Sequence, residues 1–342
     1  MLVGTRLINI CMISLVKNKW LYVGLILLAG GCLLSLFGGT TSVKSLALFR
    51  AFFFRSEADP TTVLILYRIR IPRLLAGLAC GSAFALSGLL LQEALRNPLS
   101  SPGIMGIHNG AGLFALFSAL VFGPWPFARG CMAFVGALCS MALVTLIGHF
   151  AGGGRSVLLL AGVSVSSLMS AGINLLITLR PESVSDKTAF QLGSLHGVQP
   201  RMLLMASLMI LPGIGVAFGL SRGISLFALG DEAAHGLGLP VRRYRMMTIF
   251  ASAFLSAAAV SVCGLVGFVG LIVPNLIRRL TQADMPGRMV LCLLFGSGLL
   301  VFCDVLARSL AYPYELPVGM LLSVLGAPFF IFLLIRRREG GL

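Results

Sequence analysis

A chain of 342 residues that is 58% apolar, only 11% charged and has a mean hydropathy of +0.99 carries more apolar surface than a water-soluble fold can hide. A net charge of +15 would point a soluble protein towards nucleic acid, but here the basic residues stand at the ends of apolar runs, where they set topology and meet lipid headgroups. The eight cysteines lie in or beside apolar runs with no Cys-x-x-Cys, no Gly-Lys dipeptide occurs, and the four histidines are scattered. These features argue against a disulfide or metal framework, a Walker A nucleotide loop and an intramembrane enzyme. The chain reads as an all-α polytopic membrane protein forming a single transmembrane domain over residues 1–342.

Arg6, Lys17 and Lys19 precede the apolar run Trp20–Phe37, which is too long for a signal-peptide core and lacks an Ala-x-Ala ending, so it is the first span. Residues 38–67 read as polar, with an amphipathic patch at Phe49–Arg55 suited to lying flat on the membrane. Ile69-Arg-Ile-Pro-Arg73 opens a second span, Leu74–Leu91, in which Gly77 and Gly81 make a Gly-x-x-x-Gly close-contact face. A polar turn from Gln92 to Pro102 leads to a third span, Ile104–Phe122, and a fourth at about Cys131–Phe150. Ala151-Gly-Gly-Gly-Arg-Ser156 is a hinge-like turn.

The fifth span, Val157–Leu179, carries Ser164, Ser167, Ala171 and Asn174 at helical spacing on one face, with Ser166 and Ser170 beside them. Such a stripe suits either a wet lumen or interhelical hydrogen bonds. An outer loop, Arg180–Pro200, contains a candidate short helix at Phe190–Gly197. The sixth span, Met202–Leu220, contains Pro212.

The loop of about residues 224–241 then concentrates polarity that the chain otherwise lacks: Asp231, Glu232 and His235, followed by Arg242, Arg243 and Arg245. Asp231 to Leu237 can form a short helix, ended by Gly236 and Gly238 and blocked by Pro240. The loop is either a solvated connector or the docking point of a soluble partner. The seventh span is about Met246–Cys263. Gly264-Leu-Val-Gly-Phe-Val-Gly270 reads as a tightly packed or broken helix leading into a short eighth segment with Pro274. The ninth span, Met289 to about Leu310, holds Asp304 and Arg308; the tenth, Leu316–Ile335, ends in Arg336-Arg337-Arg338. About ten spans place both termini on one side. The positive-inside rule puts them, the Asp231 loop and Arg278, Arg279 and Arg288 in the cytoplasm. Arg68, Arg70, Arg73 and Arg308 then fall outside, either as headgroup anchors with an Asp304–Arg308 pair or as a basic rim that docks an acidic partner.

Several motifs together resemble the membrane permeases of ATP-driven (type II ABC) importers for iron-siderophores, cobalamin and haem. They are Ile69-Arg-Ile-Pro-Arg73, Leu86-Ser-Gly88 with Gln92, Arg96-Asn-Pro-Leu99 with Pro102-Gly103, Gly106 with Asn109-Gly-Ala111, and Leu158-Leu-Leu-Ala-Gly162. Leu229-Gly-Asp-Glu232 with Leu237-Gly238, Gly267-Phe-Val-Gly-Leu271 with Val273-Pro274, Asp304 with Ala307-Arg308, and Glu315-Leu-Pro-Val-Gly319 with Gly326-Ala-Pro328 complete the set. The resemblance covers nearly the whole chain in order. It implies a ten-helix permease fold that pairs with a copy or a related subunit in the bacterial inner membrane. It also implies a cytoplasmic ATP-binding subunit that carries ATP and Mg, and a periplasmic substrate-binding protein. This chain itself would bind no cofactor or metal and would not be an enzyme.

By the same resemblance, ATPase coupling falls on Leu229, Gly230, Asp231, Glu232, Ala233, His235, Gly236, Leu237 and Gly238. Binding-protein docking falls on Arg70, Arg73 and Arg308, the pathway on Ser164, Ser167, Ala171 and Asn174, and an inner gate on Gly154, Arg155 and Ser156. Where the family commonly has Val-Pro-His, this chain has Val273-Pro274-Asn275, which cannot be protonated near neutral pH. An ion-coupled secondary transporter is the alternative from another class, but such carriers place an ionisable residue at mid-membrane and no acidic residue lies mid-span here. Among ligands an iron-siderophore is favoured over haem and cobalamin, because that class is the broadest.

Overall fold

The computed structural model describes residues 19–38, 45–54, 59–123, 125–152, 154–179, 190–310 and 314–339. Arg6, Lys17, Arg55, Gly153, residues 180–189 and the side chains of Arg336 to Arg338 lie outside that description.

Within it all the regular secondary structure is helical. The helices are α1 (Lys19–Phe37), α2 (Ser45–Phe53), α3 (Pro60–Leu95), α4 (Ile107–Phe122), α5 (Pro126–Phe150) and α6 (Arg155–Leu179). They continue as α7 (Pro200–Leu226), α8 (Asp231–Gly236), α9 (Val241–Cys263), α10 (Val269–Leu280), α11 (Met285–Leu310) and α12 (Val318–Glu339). Seven of them are long and apolar enough to cross a membrane: α1, α3, α5, α6, α7, α9 and α11. The shorter apolar α4, the apolar part of α12 and the 12-residue α10 take the other three positions, in the order the sequence leads one to expect.

The helix α3 is the axis of the bundle. Its apolar window is 83% buried, against 17% for α1, and it packs on α9, α10, α11 and α7. Small residues let it do so. A Cβ on Gly81 would strike the carbonyl of Gly296 on α11, and one on Gly88 would strike that of Gly270 on α10. The Gly77/Gly81 face is therefore the α3–α11 contact, and it continues at helical spacing to Gly88.

Two boundaries differ from expectation. The second span begins at Pro60, not Leu74. Asp59 accepts a hydrogen bond from the Thr62 N–H at 3.2 Å and Pro60 stands at the first helical position, a start signal that the run of arginines masks in the sequence. Pro72 would break an ordinary helix there. The π-helical turn Ile65–Arg70 just before it widens the backbone and absorbs the misfit. The candidate helix at Phe190–Gly197 is also shorter than expected: helical backbone ends at residue 192, and 193–199 is irregular.

The aromatic patch forms α2. Leu48 and Ala51 are buried beside Leu66, while Phe49, Phe52 and Phe53 stay exposed.

The break between α9 and α10 is a true non-helical segment, 264–268. Neighbouring chain meets part of the backbone at and beside this break. Leu265 N–H donates to Phe190 O at 3.0 Å, and Ser194 N–H donates to Cys263 O at 2.8 Å. Inside α10, Pro274 lacks the N–H that would bond the Gly270 carbonyl. The buried Gln92 Nε2 supplies that bond at 3.0 Å. Asn275, at the departure from the usual histidine, donates to Pro98 O at 3.0 Å and Leu271 O at 2.8 Å, so the amide ties α10 to the loop after α3.

Candidate functional sites at the two ends of the bundle

The bundle has an Asp231 end and an Asp304 end. At the first, α8 is a single turn and a half, and its termination is fixed by local chemistry. Gly238 takes φ +83, Leu239 N–H donates to Ala234 O at 3.1 Å, and Gly238 N–H donates to His235 O at 2.8 Å, which is a Schellman close. Gly230 enters the turn at φ +105, ψ 162, a region open in practice only to glycine. The buried Ala234 and Leu239 root the turn in the body. Leu229 and Leu237 are 61% and 64% exposed, and Glu232, Ala233, His235, Gly236 and Gly238 are exposed with them.

Asp231 faces the other way. Its carboxylate pairs with Arg155, the first residue of α6, and with Arg245 of α9, the second at 2.5 Å. Partial burial pushes this carboxyl up, but hydrogen bonds and charge from Arg245 and Arg155 outweigh it and hold the group below the usual aspartate value. The residues expected to couple and the residues expected to gate, Gly154, Arg155 and Ser156, are thus joined through one side chain. Nothing in their sequence spacing, 76 residues, signals that. A depression of about 740 Å³ opens beside α8, lined by Gly152, Asp231, Glu232, His235, Arg242 and Arg245 among others. Nearby, Glu93 ties α3 to Arg278 and Arg288 at 3.3 and 3.0 Å.

At the Asp304 end the three arginines expected to dock a partner are buried, Arg70 to 3%, Arg73 to 5% and Arg308 to 8% exposure. They bond within the chain. Arg73 Nε donates to both Asp304 oxygens at 3.0 and 3.1 Å, and its Nη1 meets Glu315 at 2.8 Å. Arg308 pairs with Asp304 at 3.3 Å and donates to Ser35 at 3.1 Å. Arg70 donates to the Leu36 and Gly38 carbonyls at 2.7 and 2.6 Å. A guanidinium this deep needs fixed acceptors, and Asp304, Glu315 and the end of α1 provide them. The Asp304–Arg308 pair read at i, i+4 is present, enlarged by Arg73. Sequence reading took Glu315 only as part of a motif and His196 only as part of a candidate helix; they meet at 3.0 Å on top of this network. The signal available was the scarcity of acids, 11 in the chain. Arg68 is exposed at this end.

Between the ends, Ser164, Ser167, Ala171 and Asn174 stand on an exposed face of α6. Ser164 and Ser167 donate to carbonyls one turn back on their own helix, at 2.9 and 3.0 Å. Ser166, one position off the stripe, is the interhelical bonder, accepting from Asn109 Nδ2 at 2.7 Å. Interhelical bonding thus falls on one face of this helix and the exposed small polar stripe on another. Among the described residues no three His, Cys, Asp or Glu side chains converge closely enough to hold a metal ion.

A bundle of apolar helices around a glycine-lined axis, seven of them long enough to cross a membrane, with a polar turn bonded to the spans at one end, is that of a multi-pass membrane permease of the type II ABC importer class. The chain belongs to the FecCD transport family, whose pattern matches residues 26–336. It is 35% identical over 307 residues to a hemin transport system permease protein of Yersinia pestis, covering 88% of this chain and 92% of that one. It is 36% identical over 276 residues to an iron(III)-citrate import system permease protein of Bacillus subtilis, covering 81% and 83%. A solved metal-chelate type ABC transporter in an inward-facing conformation superposes with a TM-score of 0.81 at 29% identity, covering 92% of this chain and 98% of that one.

Proposed function

We propose that this chain is the membrane subunit through which an iron chelate, foremost an iron-siderophore, passes from a periplasmic binding protein to the cytoplasm, driven by ATP on a separate subunit. The observation that supports it most directly is the Asp231 bridge. A turn that presents Leu229, Glu232 and Leu237 outward and grips Arg155 and Arg245 inward is built to receive a force and pass it on. The partner ATPase, carrying ATP and Mg, seats on α8. Its movement pulls on the foot of α6 through Arg155, so the Gly154–Ser156 gate answers to the nucleotide state. The exposed α6 face then lines the pathway against a second permease subunit. Its serines have their protons committed within the helix, which leaves a weakly interacting wall from which a polar ligand can leave.

In this reading both termini are cytoplasmic and the binding protein docks at the Asp304 end. Arg68 and the Glu315–His196 pair meet it there, while Arg70, Arg73 and Arg308 hold that surface in shape. The iron chelate is inferred from the relatives, whose names are hemin and iron-citrate permeases.

The test is uptake of radiolabelled iron as hydroxamate, citrate or haem in bacteria lacking their own permeases, supplied with this chain, its ATPase and its binding protein. ATP-dependent accumulation of one iron chelate is the expected result. Uptake of cobalamin alone would overturn the ligand, and uptake that needs a proton gradient but no ATPase would overturn the mechanism.

A further inference from the structure

On the outside of the bundle, α1, α10 and α11 leave a groove of about 280 Å³. Gly24, Leu27, Ile272, Leu276, Phe295 and Phe302 form its main walls, and every residue lining it is apolar or glycine. Such a groove has no polar partners for water. Leu27 and Phe302 are 57% and 47% exposed, so it opens to the side of the bundle.

Its chemistry changes at one mouth. On α1, Trp20, Gly24 and Leu27 follow one stripe; on α10, Ile272, Leu276 and Arg279 do the same. The two helices bring these stripes to the same end. A Cβ on Gly24 would meet Phe295 of α11, one on Gly31 would meet Val301, and Ser35 accepts from Arg308, so α1 runs parallel to α11. The start of α11 lies at the Asp231 end, where Arg288 pairs with Glu93, and α10 finishes there with Arg278 on the same carboxylate. Lys19, Trp20 and Arg279 therefore gather around one opening of an apolar slot. Arg278 and Arg288 are taken by Glu93, whereas the exposed Arg279 joins no ion pair among the described residues. Lys19 holds its ammonium 5.5 Å from the Trp20 ring centroid, the arrangement of an interfacial anchor.

An apolar slot that ends in two cations and an indole fits a molecule with a hydrocarbon tail and an anionic head. We propose that this groove seats one acyl chain of an anionic phospholipid, with its phosphate between Lys19 and Arg279.

The experiment is native mass spectrometry of the full-length chain in mild detergent, titrated with dioleoyl phosphatidylglycerol or, separately, dioleoyl phosphatidylcholine. The acyl chains are identical, so the difference reads the headgroup. Tighter retention of phosphatidylglycerol is expected, by about fivefold for each basic group engaged, the factor that ~1 kcal/mol represents. Arg279→Glu should bring phosphatidylglycerol down to the phosphatidylcholine level, Arg279→Lys should preserve the preference, and Lys19→Glu should lower it about fivefold or more. Gly298→Leu, at a groove-lining position where a Cβ would stand 4.0 Å from the Leu28 backbone, should lower retention of both lipids by filling the slot. Equal retention of the two lipids by the unaltered chain, or no effect of Arg279→Glu, overturns the proposal. So does a Gly298→Leu protein whose oligomeric mass changes while lipid retention does not, because the groove would then be a contact between copies.

Discussion

Gly230 turns the chain from α7 into α8 at a backbone conformation that a Cβ makes costly. Gly230→Ala should destabilise the loop by about 1–3 kcal/mol. We expect this to appear as faster proteolysis of the α7–α9 connection with the rest of the bundle intact. Asp231 carries a different burden. Asp231→Asn keeps the shape and removes the charge that holds Arg155 and Arg245 together. With its side chain 43% exposed, solvent screening leaves about 1 kcal/mol, so ATP-driven uptake should fall about fivefold at an unchanged level of folded protein. Normal uptake by that variant would remove the bridge from the mechanism.

Glu315 makes a pH argument. Its partial burial raises the carboxyl pKa, but the hydrogen bond and charge of Arg73, with His196, lower it by more, so the folded value lies below the ordinary glutamate one. A depressed folded value means stability that is present above the unfolded pKa and lost as pH falls through the folded one. Melting temperature in detergent should therefore decline below about pH 4.3, and Glu315→Gln should flatten that part of the profile.

Among the elements, α3 shows how a membrane helix becomes central. Its glycines bring α10 and α11 to backbone contact, and its polar atoms repair defects in its neighbours. Gly81→Ala drives a Cβ into the Gly296 carbonyl and should cost about 1–3 kcal/mol through overpacking. Gln92→Leu leaves the Gly270 carbonyl in α10 without a donor, a penalty of similar size, about 1–3 kcal/mol. Unfolding in increasing denaturant, with the two substitutions alone and together, measures both. The Arg73–Asp304–Arg308 group ties α3 and α11 to α1 at the other end. Asp304→Ala leaves two guanidiniums buried without their shared acceptor and should cost about 3–5 kcal/mol, read as loss of folded protein in the membrane.

At the scale of the molecule, the two ends are wired differently. The Asp231 end carries exposed apolar side chains over an ion-paired turn, in the proposed function the surface that engages and moves. The Asp304 end carries a buried ion-pair network beneath an exposed Glu315–His196 pair, a surface held in one shape. The α6 face joins them, and its foot is bonded to α8. In the proposed mechanism a pull on α8 reaches the polar stripe through the Asp231–Arg155 pair. Arg155→Met should reduce uptake as Asp231→Asn does, and the double variant should be no worse than either alone, because both sever the same link.

The order of the apolar helices, the short helix at Asp231, the Gly77/Gly81 contact and the broken stretch before Pro274 were legible because each is local. Apolar length, turn residues and glycine spacing act within about twenty residues. The sequence also placed every arginine near a membrane boundary, since lipid forbids charge elsewhere. It did not disclose which charges meet. Arg73 with Asp304 lies 231 positions apart, Arg155 with Asp231 lies 76, and Gln92 reaches Gly270 across 178. Those pairings depend on which helices touch, and only the folded bundle turns an exposed-looking arginine into a buried strut or an ordinary glutamine into the donor that Pro274 lacks. Local physics wrote the elements; the low dielectric between them decided what the polar side chains are for.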